Sequence, residues 1–367
     1  MISCAICFLI AAPILVLYSE GYRFDFEKMK VVATGGIFVR TFPSADQITI
    51  DSAISEKPGF LANSIFVQSL LPKTHTILVI KKGYYDYNKT LSVEENSVTK
   101  LENVLLFKKD IKFTPLTDLT KSPFLPENQQ EKFIIRNNSL YYSDIPQNSS
   151  ITAAVKKNPL LKNLIAFETS GNKIFWLSTD GFLYQSEVSA IPASADQIFA
   201  KLNLTALKIN KKGIYKIITD GQNIFLNDNG GLYILDSKTD NFVALAAPII
   251  DANISPDSKN LAYSAGNEIF IYTISADPAR TFLRAGQKNI LYKSNSPVTS
   301  ALWLNNDYII FSSQNNVTAS EIDFRGNVNS VVLSESLKSP QIYLSRQDSK
   351  LYILSGKTLL LSEKLTP

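Results

Sequence analysis

The sequence predicts an all-β chain: an N-terminal transmembrane helix, a small β-sandwich, then a β-propeller of about six blades. Three observations carry this. The chain opens on an uncharged apolar run; the apolar period then drops to two and stays there; and the C-terminal two-thirds repeats one turn–strand–turn–strand unit.

The 367 residues include 37 Lys+Arg, 33 Asp+Glu and one His, a formal net charge of +4, with 45% hydrophobic and 19% charged residues. That mixture is ordinary for a folded chain and too weakly basic for a nucleic-acid binder, so no nucleic-acid partner is expected. The single histidine, His75, excludes any multi-histidine metal centre. Both cysteines, Cys4 and Cys7, lie in the opening apolar run, which removes a disulfide framework or a Cys4 zinc site. No cofactor is expected.

Residues Ile2 to Tyr18 carry no charge. As helix they reach ~25 Å, near the lower limit for a bilayer core. No basic residue precedes the run and no small-x-small cleavage site follows it, which favours an uncleaved anchor over a signal peptide. The expected anchor is residues 1–19, with Ile2, Phe8, Leu9, Ile10, Ile14, Leu15, Val16, Leu17 and Tyr18 in the membrane, and Tyr18, Tyr22 and Phe24 as an interfacial belt. With no second span in the chain, the bulk is expected to be extracytoplasmic, held at the cell membrane by a single pass.

Residues 31–110 alternate with period two. Strands are expected at 36–42, 47–51, 64–68, 75–81, 87–93 and 98–107, separated by Pro, Gly, Asn or Ser clusters. His75 opens one of these strands, where it would face outward or enter a turn hydrogen bond. With no second His or Cys nearby it reads as structural.

The segments Gly36-Ile37-Phe38-Val39, Pro43-Ser44-Ala45-Asp46-Gln47-Ile48-Thr49-Ile50-Asp51, Leu71-Pro72-Lys73-Thr74-His75 and Lys82-Gly83-Tyr84 resemble the PEGA domain family. Asp46 and Ala45 depart from the family at its name-giving turn. The resemblance implies an extracytoplasmic spacer or binding module of a bacterial envelope protein and brings no catalytic residues with it.

Residues 111–130 contain Pro115, Pro123 and Pro126 with little alternation and are expected to be a linker. Residues 131–367 then carry the repeat. Asp257-Ser258-Lys259 and Asp348-Ser349-Lys350 each open a pair of apolar strands broken by a glycine turn, and looser copies enter strands near 132, 173, 223 and 307. A mean spacing of ~44 residues is that of four-stranded propeller blades. Trp176, Trp303, Tyr263, Tyr352 and Phe311 are the expected inter-blade packing residues. The stretch Ser255-Pro256-Asp257-Ser258-Lys259 resembles the blade turn of TolB-like and WD-repeat propellers, with Ser258 where those families prefer glycine.

No Gly-x-Ser-x-Gly elbow, phosphate-binding loop or His-Glu-x-x-His motif occurs. The acidic pairs Asp236/Asp240 and Asp220/Asp228 read as solvated turns between blade strands in preference to catalysis, and the run Asn227 to Gly231 as hairpin turn chemistry in preference to a calcium loop. The expected function is therefore that of a non-enzymatic, membrane-anchored envelope protein, the sandwich a spacer and the propeller a platform for a protein or cell-surface glycan. Tyr184, Tyr233, Tyr272 and Phe324 are the candidate contact residues. Two other functions fit the same outline: a carboxylate-dependent hydrolase or lyase of envelope polysaccharide, and a docking factor for a membrane complex.

Overall fold

A computed structural model describes residues 2–59, 62–116, 133–142, 159–190, 199–210, 212–228, 230–345 and 348–366. Helix α1 (Ile2–Ser19) has 18 residues with Pro13 inside it. Among the described residues no helix is long and apolar enough to cross a membrane. This corrects the expected single-pass anchor over 1–19 and the membrane role given to Ile2, Phe8, Leu9, Ile10, Ile14, Leu15, Val16, Leu17 and Tyr18. At 1.5 Å per residue the helix reaches ~27 Å, short of a ~30 Å hydrocarbon core, and Pro13 lacks the N–H its turn would use. The proposed aromatic belt dissolves too. Arg23 lays its guanidinium 3.5 Å from the Tyr18 ring centre and donates to the Tyr18 carbonyl, while Tyr22 and Phe24 belong to a hairpin of β1 (Tyr22–Asp25) and β2 (Lys30–Ala33).

The sandwich has two sheets. In one, β3 (Gly35–Phe42) lies between β6 (Ser64–Leu70), antiparallel to it, and β9 (Val98–Leu105), parallel to it. The other runs β5 (Ile54–Glu56), β4 (Gln47–Ile50), β7 (Thr74–Ile80) and β8 (Tyr87–Ser92). Alternation places Ile37, Val39, Ile48, Ile50, Ile77, Val79 and Leu101 between the sheets, where they form one buried cluster. Within these two sheets, among the described residues, the short β5 alone has no counterpart in the strands read from the sequence.

Among the described residues six further sheets follow. The expected linker is shortened at its start. Phe113–Pro115 forms β10, which pairs with the last strand of the chain, and residues 117–130, with Lys121, Pro123 and Pro126, lie outside the described residues. Strands β11 (Phe133–Arg136), β12 (Ser139–Tyr142) and β13 (Leu161–Lys162) form the first sheet. The next four are antiparallel four-stranded meanders. They comprise β14–β17 (Leu164–Ser170, Lys173–Ser178, Leu183–Glu187, Ala200–Lys201), β18–β21 (Lys216–Thr219, Ile224–Asn227, Leu232–Asp236, Asn241–Ala246), β22–β25 (Asp251–Ile254, Asn260–Ala265, Glu268–Thr273, Lys288–Lys293) and β26–β29 (Val298–Trp303, Tyr308–Ser313, Asn316–Glu321, Ser330–Ser334). In the sixth, β30 (Gln341–Ser345), β31 (Lys350–Ser355) and β32 (Thr358–Lys364) are completed by β10. This is β-propeller topology, with the strand that precedes the first blade closing the last.

The first five blades each bury an apolar cluster against the next blade in the chain, as elements that cannot cover a face alone require. Trp176, Trp303, Tyr263 and Phe311 are buried in them; Tyr352 is half-buried against Tyr343. In the two Asp-Ser-Lys turns, Ser258 and Ser349 take φ of 61° and 55°, the left-handed region in which a glycine would be unstrained.

Sandwich and propeller meet through an apolar cluster, in which Leu105 and Phe107 join Tyr308 and Ile342, and through buried polar contacts. Lys89 on β8 is fully buried and spends its three protons on Glu321 Oε1 at 2.7 Å, the Asp323 carbonyl at 2.6 Å and the Asn327 carbonyl at 2.7 Å. Glu321, 4% exposed, also accepts from the Tyr87 hydroxyl at 2.7 Å and from the backbone and side-chain nitrogens of Asn329. The Asn327 side chain bonds the β8 backbone at Asn88 and Thr90. Gly326 makes this approach possible, because a Cβ there would stand 2.0 Å from the Thr90 carbonyl oxygen.

Removing one partner of such a pair leaves the other charge buried and unmatched. Lys89→Met is expected to cost about 3–5 kcal/mol in chemical denaturation, and adding Glu321→Gln to recover part of that loss. A cost below ~1 kcal/mol for the single variant would show that the junction is solvated.

Candidate functional site

The first strands of five blades, β14, β18, β22, β26 and β30, surround a cavity of about 790 Å³. It opens where these strands end: Ser170 closes β14, Thr219 closes β18 and Trp303 closes β26, and all three line it. The lining is mainly polar. Lys216 Nζ lies 3.0 Å from Asp251 Oδ1, joining two neighbouring inner strands, and Asn253 Nδ2 bonds the other Asp251 oxygen at 3.0 Å and the Ala301 carbonyl at 2.9 Å. Trp303 lies edge-on in the wall, its indole N–H donating to the Asn253 carbonyl at 2.9 Å.

Carboxylates from two blades line this cavity, Glu168 and Asp220; Asp251, from a third, bonds the lining residues Lys216 and Asn253. Asp220 is committed to its own turn and accepts from the backbone nitrogens of Gln222 and Asn223 and from Asn223 Nδ2. Burial pushes its carboxyl up, but the bonds from Asn223 and Gln222, with help from the Ser258 side chain of the next blade, outweigh it and hold the group below the ordinary carboxylate value. The left-handed Ser258 thus does what a glycine there would not. Asp228 and Asp236 cap turns as well: Asp228 accepts from Gly230 and Gly231, and Asp236 from Lys238 and Thr239. Among the described residues no group of three or more His, Cys, Asp or Glu is placed to hold a metal ion.

The four candidate contact residues are not brought together. Tyr184 on β16 stacks on Trp176 at 5.6 Å, and its hydroxyl donates to Asp180 at 2.9 Å, burial and that carboxylate raising its pKa to about 12. Tyr233, Tyr272 and Phe324 each pack against a different inter-blade cluster. None lines the cavity; the side chains serve blade packing. The exposed aromatic in its wall is Tyr343 on β30, 45% exposed. Its signal in the sequence was the alternation Gln341-Ile342-Tyr343, which turns the tyrosine away from the buried Ile342. His75, far from this site, is 3% exposed with both ring nitrogens bonded, so it entered a turn contact instead of facing outward.

The sandwich stands at the rim of the same opening. In an antiparallel meander the end of the third strand lies beside the end of the first, and Glu321 ends β28 as Trp303 ends β26. A second cavity of about 130 Å³, lined by Glu102, Asn103, Arg280, Asp307 and Asp323 among others, separates the two units there. Arg280 bridges Asp307 at 2.8 Å and Asp257 at 3.4 Å, and burial raises the Asp307 carboxyl despite that cation.

No family model matches the chain, and no curated protein matches it. Among solved structures it is similar to a protein described as a TolB from Agrobacterium tumefaciens, at 16% identity and a TM-score of 0.36, over 54% of this chain and 73% of that one. It is also similar to the extracellular domain of a hybrid two-component system from B. thetaiotaomicron, at 10% identity and a TM-score of 0.40, over 78% of this chain and 36% of that one. Both likenesses are distant. The chain spans about a third of the second protein's length, and the propeller assignment rests on the sheet topology.

Because the Asp220 carboxyl lies lower in the fold than in the unfolded chain, near 3.9, its contribution is present above that value and is lost as the pH falls through the folded one. Asp220→Asn is expected to lower the melting temperature at pH 7 and to flatten the acid limb of the stability profile. An unchanged acid limb would mean that the turn does not depend on the charge.

Proposed function

We propose that the protein is a non-enzymatic, extracytoplasmic binding protein whose ligand, a protein or a cell-surface glycan, enters the propeller opening beside the sandwich. The observation that supports this most is the state of the charged lining. Asp220 and Asp251 are tied to turn amides, Asn253 and Lys216, and Asp220 is held ionised, whereas acid–base catalysis by two carboxylates needs one of them kept protonated. A cavity of this size with fixed polar groups and one exposed tyrosine is suited to recognition. The sandwich, locked to the rim through Lys89, acts as a rigid spacer and as one wall of the approach.

The competing hydrolase or lyase reading draws on Glu168 and Asp220, the two carboxylates of the lining. Affinity capture with the full chain, run in parallel against solubilised envelope proteins and against purified wall polysaccharides, separates the classes of ligand. The charge reversal Lys216→Glu and the truncation Tyr343→Ala are each expected to weaken capture about tenfold or more, equivalent to ~1.4 kcal/mol, while Tyr184→Phe leaves it unchanged. Release of products from a polysaccharide panel that Glu168→Gln abolishes would establish an enzyme instead.

A further inference from the structure

His75 sits at the start of β7, 3% exposed, with an oxygen against each ring nitrogen: Asp51 Oδ2 lies 2.6 Å from Nδ1, and the Leu71 carbonyl 2.8 Å from Nε2. Neither oxygen has a proton to give, since a carbonyl only accepts and an ionised carboxylate only accepts. A neutral imidazole carries a single ring proton, so one contact would then set a nitrogen lone pair against an oxygen. We propose that His75 is held as a doubly protonated imidazolium that clamps two turns of the sandwich, and that the clamp opens when rising pH removes the second proton.

What the ring ties together is specific. Asp51 begins the β4–β5 turn, where it and Ser52 both take left-handed φ, 51° and 58°, a conformation that costs free energy in residues other than glycine. Its other carboxylate oxygen accepts from the Thr76 amide at 2.9 Å. Leu71 begins the β6–β7 turn and its carbonyl also accepts from the Lys73 amide. The ring therefore bonds one turn directly to the other, beside the backbone contact of Asp51 with Thr76. The charged groups around it are the Asp51 carboxylate, which faces it, and Lys73 in the turn before β7, which acts on the same carboxylate and lies 3.4 Å from Glu27. On the β8 side its cross-strand partner is the apolar Leu91. Burial alone would raise the Asp51 carboxyl, but the Thr76 amide and the His75 ring outweigh it and keep the group below its usual value, in line with an ionised partner for a cation.

Because the chain has one histidine, a sample labelled with ¹⁵N only in the imidazole gives one assigned pair of ring signals without any variant. In the full wild-type chain at pH 7 both nitrogens are expected in the protonated range; a single protonated nitrogen at that pH overturns the proposal. In Asp51→Asn the second proton is expected to leave at a pH lower by about one unit or more. Loss at the same pH as in the wild type would show that Asp51 does not hold it, and would equally overturn the clamp.

Discussion

The two halves of this molecule meet around one buried cation, beside an apolar cluster in which Leu105 and Phe107 join Tyr308 and Ile342. Lys89 stands on a strand phase otherwise given to Tyr87 and Leu91, and its ammonium group has left water for the carboxylate of Glu321 and two loop carbonyls. Such a transfer costs several kcal/mol per ion before any attraction is counted, and hydrophobic residues of similar volume would have joined the halves at least as firmly. What the ion pair adds is a defined geometry. Three donors meet three fixed acceptors, Glu321 takes four bonds, and the loop from Asp323 to Asn329 can satisfy them in one position only with a glycine against the Thr90 carbonyl. The position of the sandwich at the rim of the propeller opening is a consequence of that arrangement.

That placement gives the opening an asymmetric border. The turn Ser255 to Ser258 touches both sides: Ser258 lines the channel and contributes to the Asp220 turn, while Asp257 receives Arg280, which in turn holds Asp307 at the sandwich cleft. One short turn therefore belongs to the channel and to the junction at once. Its left-handed serine keeps a hydroxyl where backbone comfort alone would have chosen glycine.

Much of the architecture was legible because alternation and turn chemistry are local. Six sandwich strands and the strand entries near 132, 173, 223, 260, 307 and 350 can be read from residues a few positions apart. What escaped was non-local. Phe113–Pro115 looks like a linker until β32, at the other end of the chain, gives it a partner. Tyr184, Tyr233, Tyr272 and Phe324 end up in blade packing because the neighbouring blade, unseen in a window of sequence, covers them. The apolar opening run was long enough to read as a span, yet its helix stops at Ser19 with a proline inside. Lys89 did leave a trace, since a lysine in phase with Tyr87 and Leu91 requires a buried counter-charge somewhere, but nothing near it in the chain names Glu321.

The pairing of β10 with β32 also dictates an order of events during synthesis. The ribosome delivers β10 about 240 residues before its partner strand, an interval of roughly 12–50 s at ~5–20 residues per second. The sandwich, complete by Leu105, emerges first. Until the fifth blade arrives, Lys89 is an ordinary solvated amine and β10 a strand with no sheet to join. A nascent chain stalled inside the sixth blade would therefore present an unsealed ring to the cell's quality-control machinery, and only the final residues turn that intermediate into a closed one.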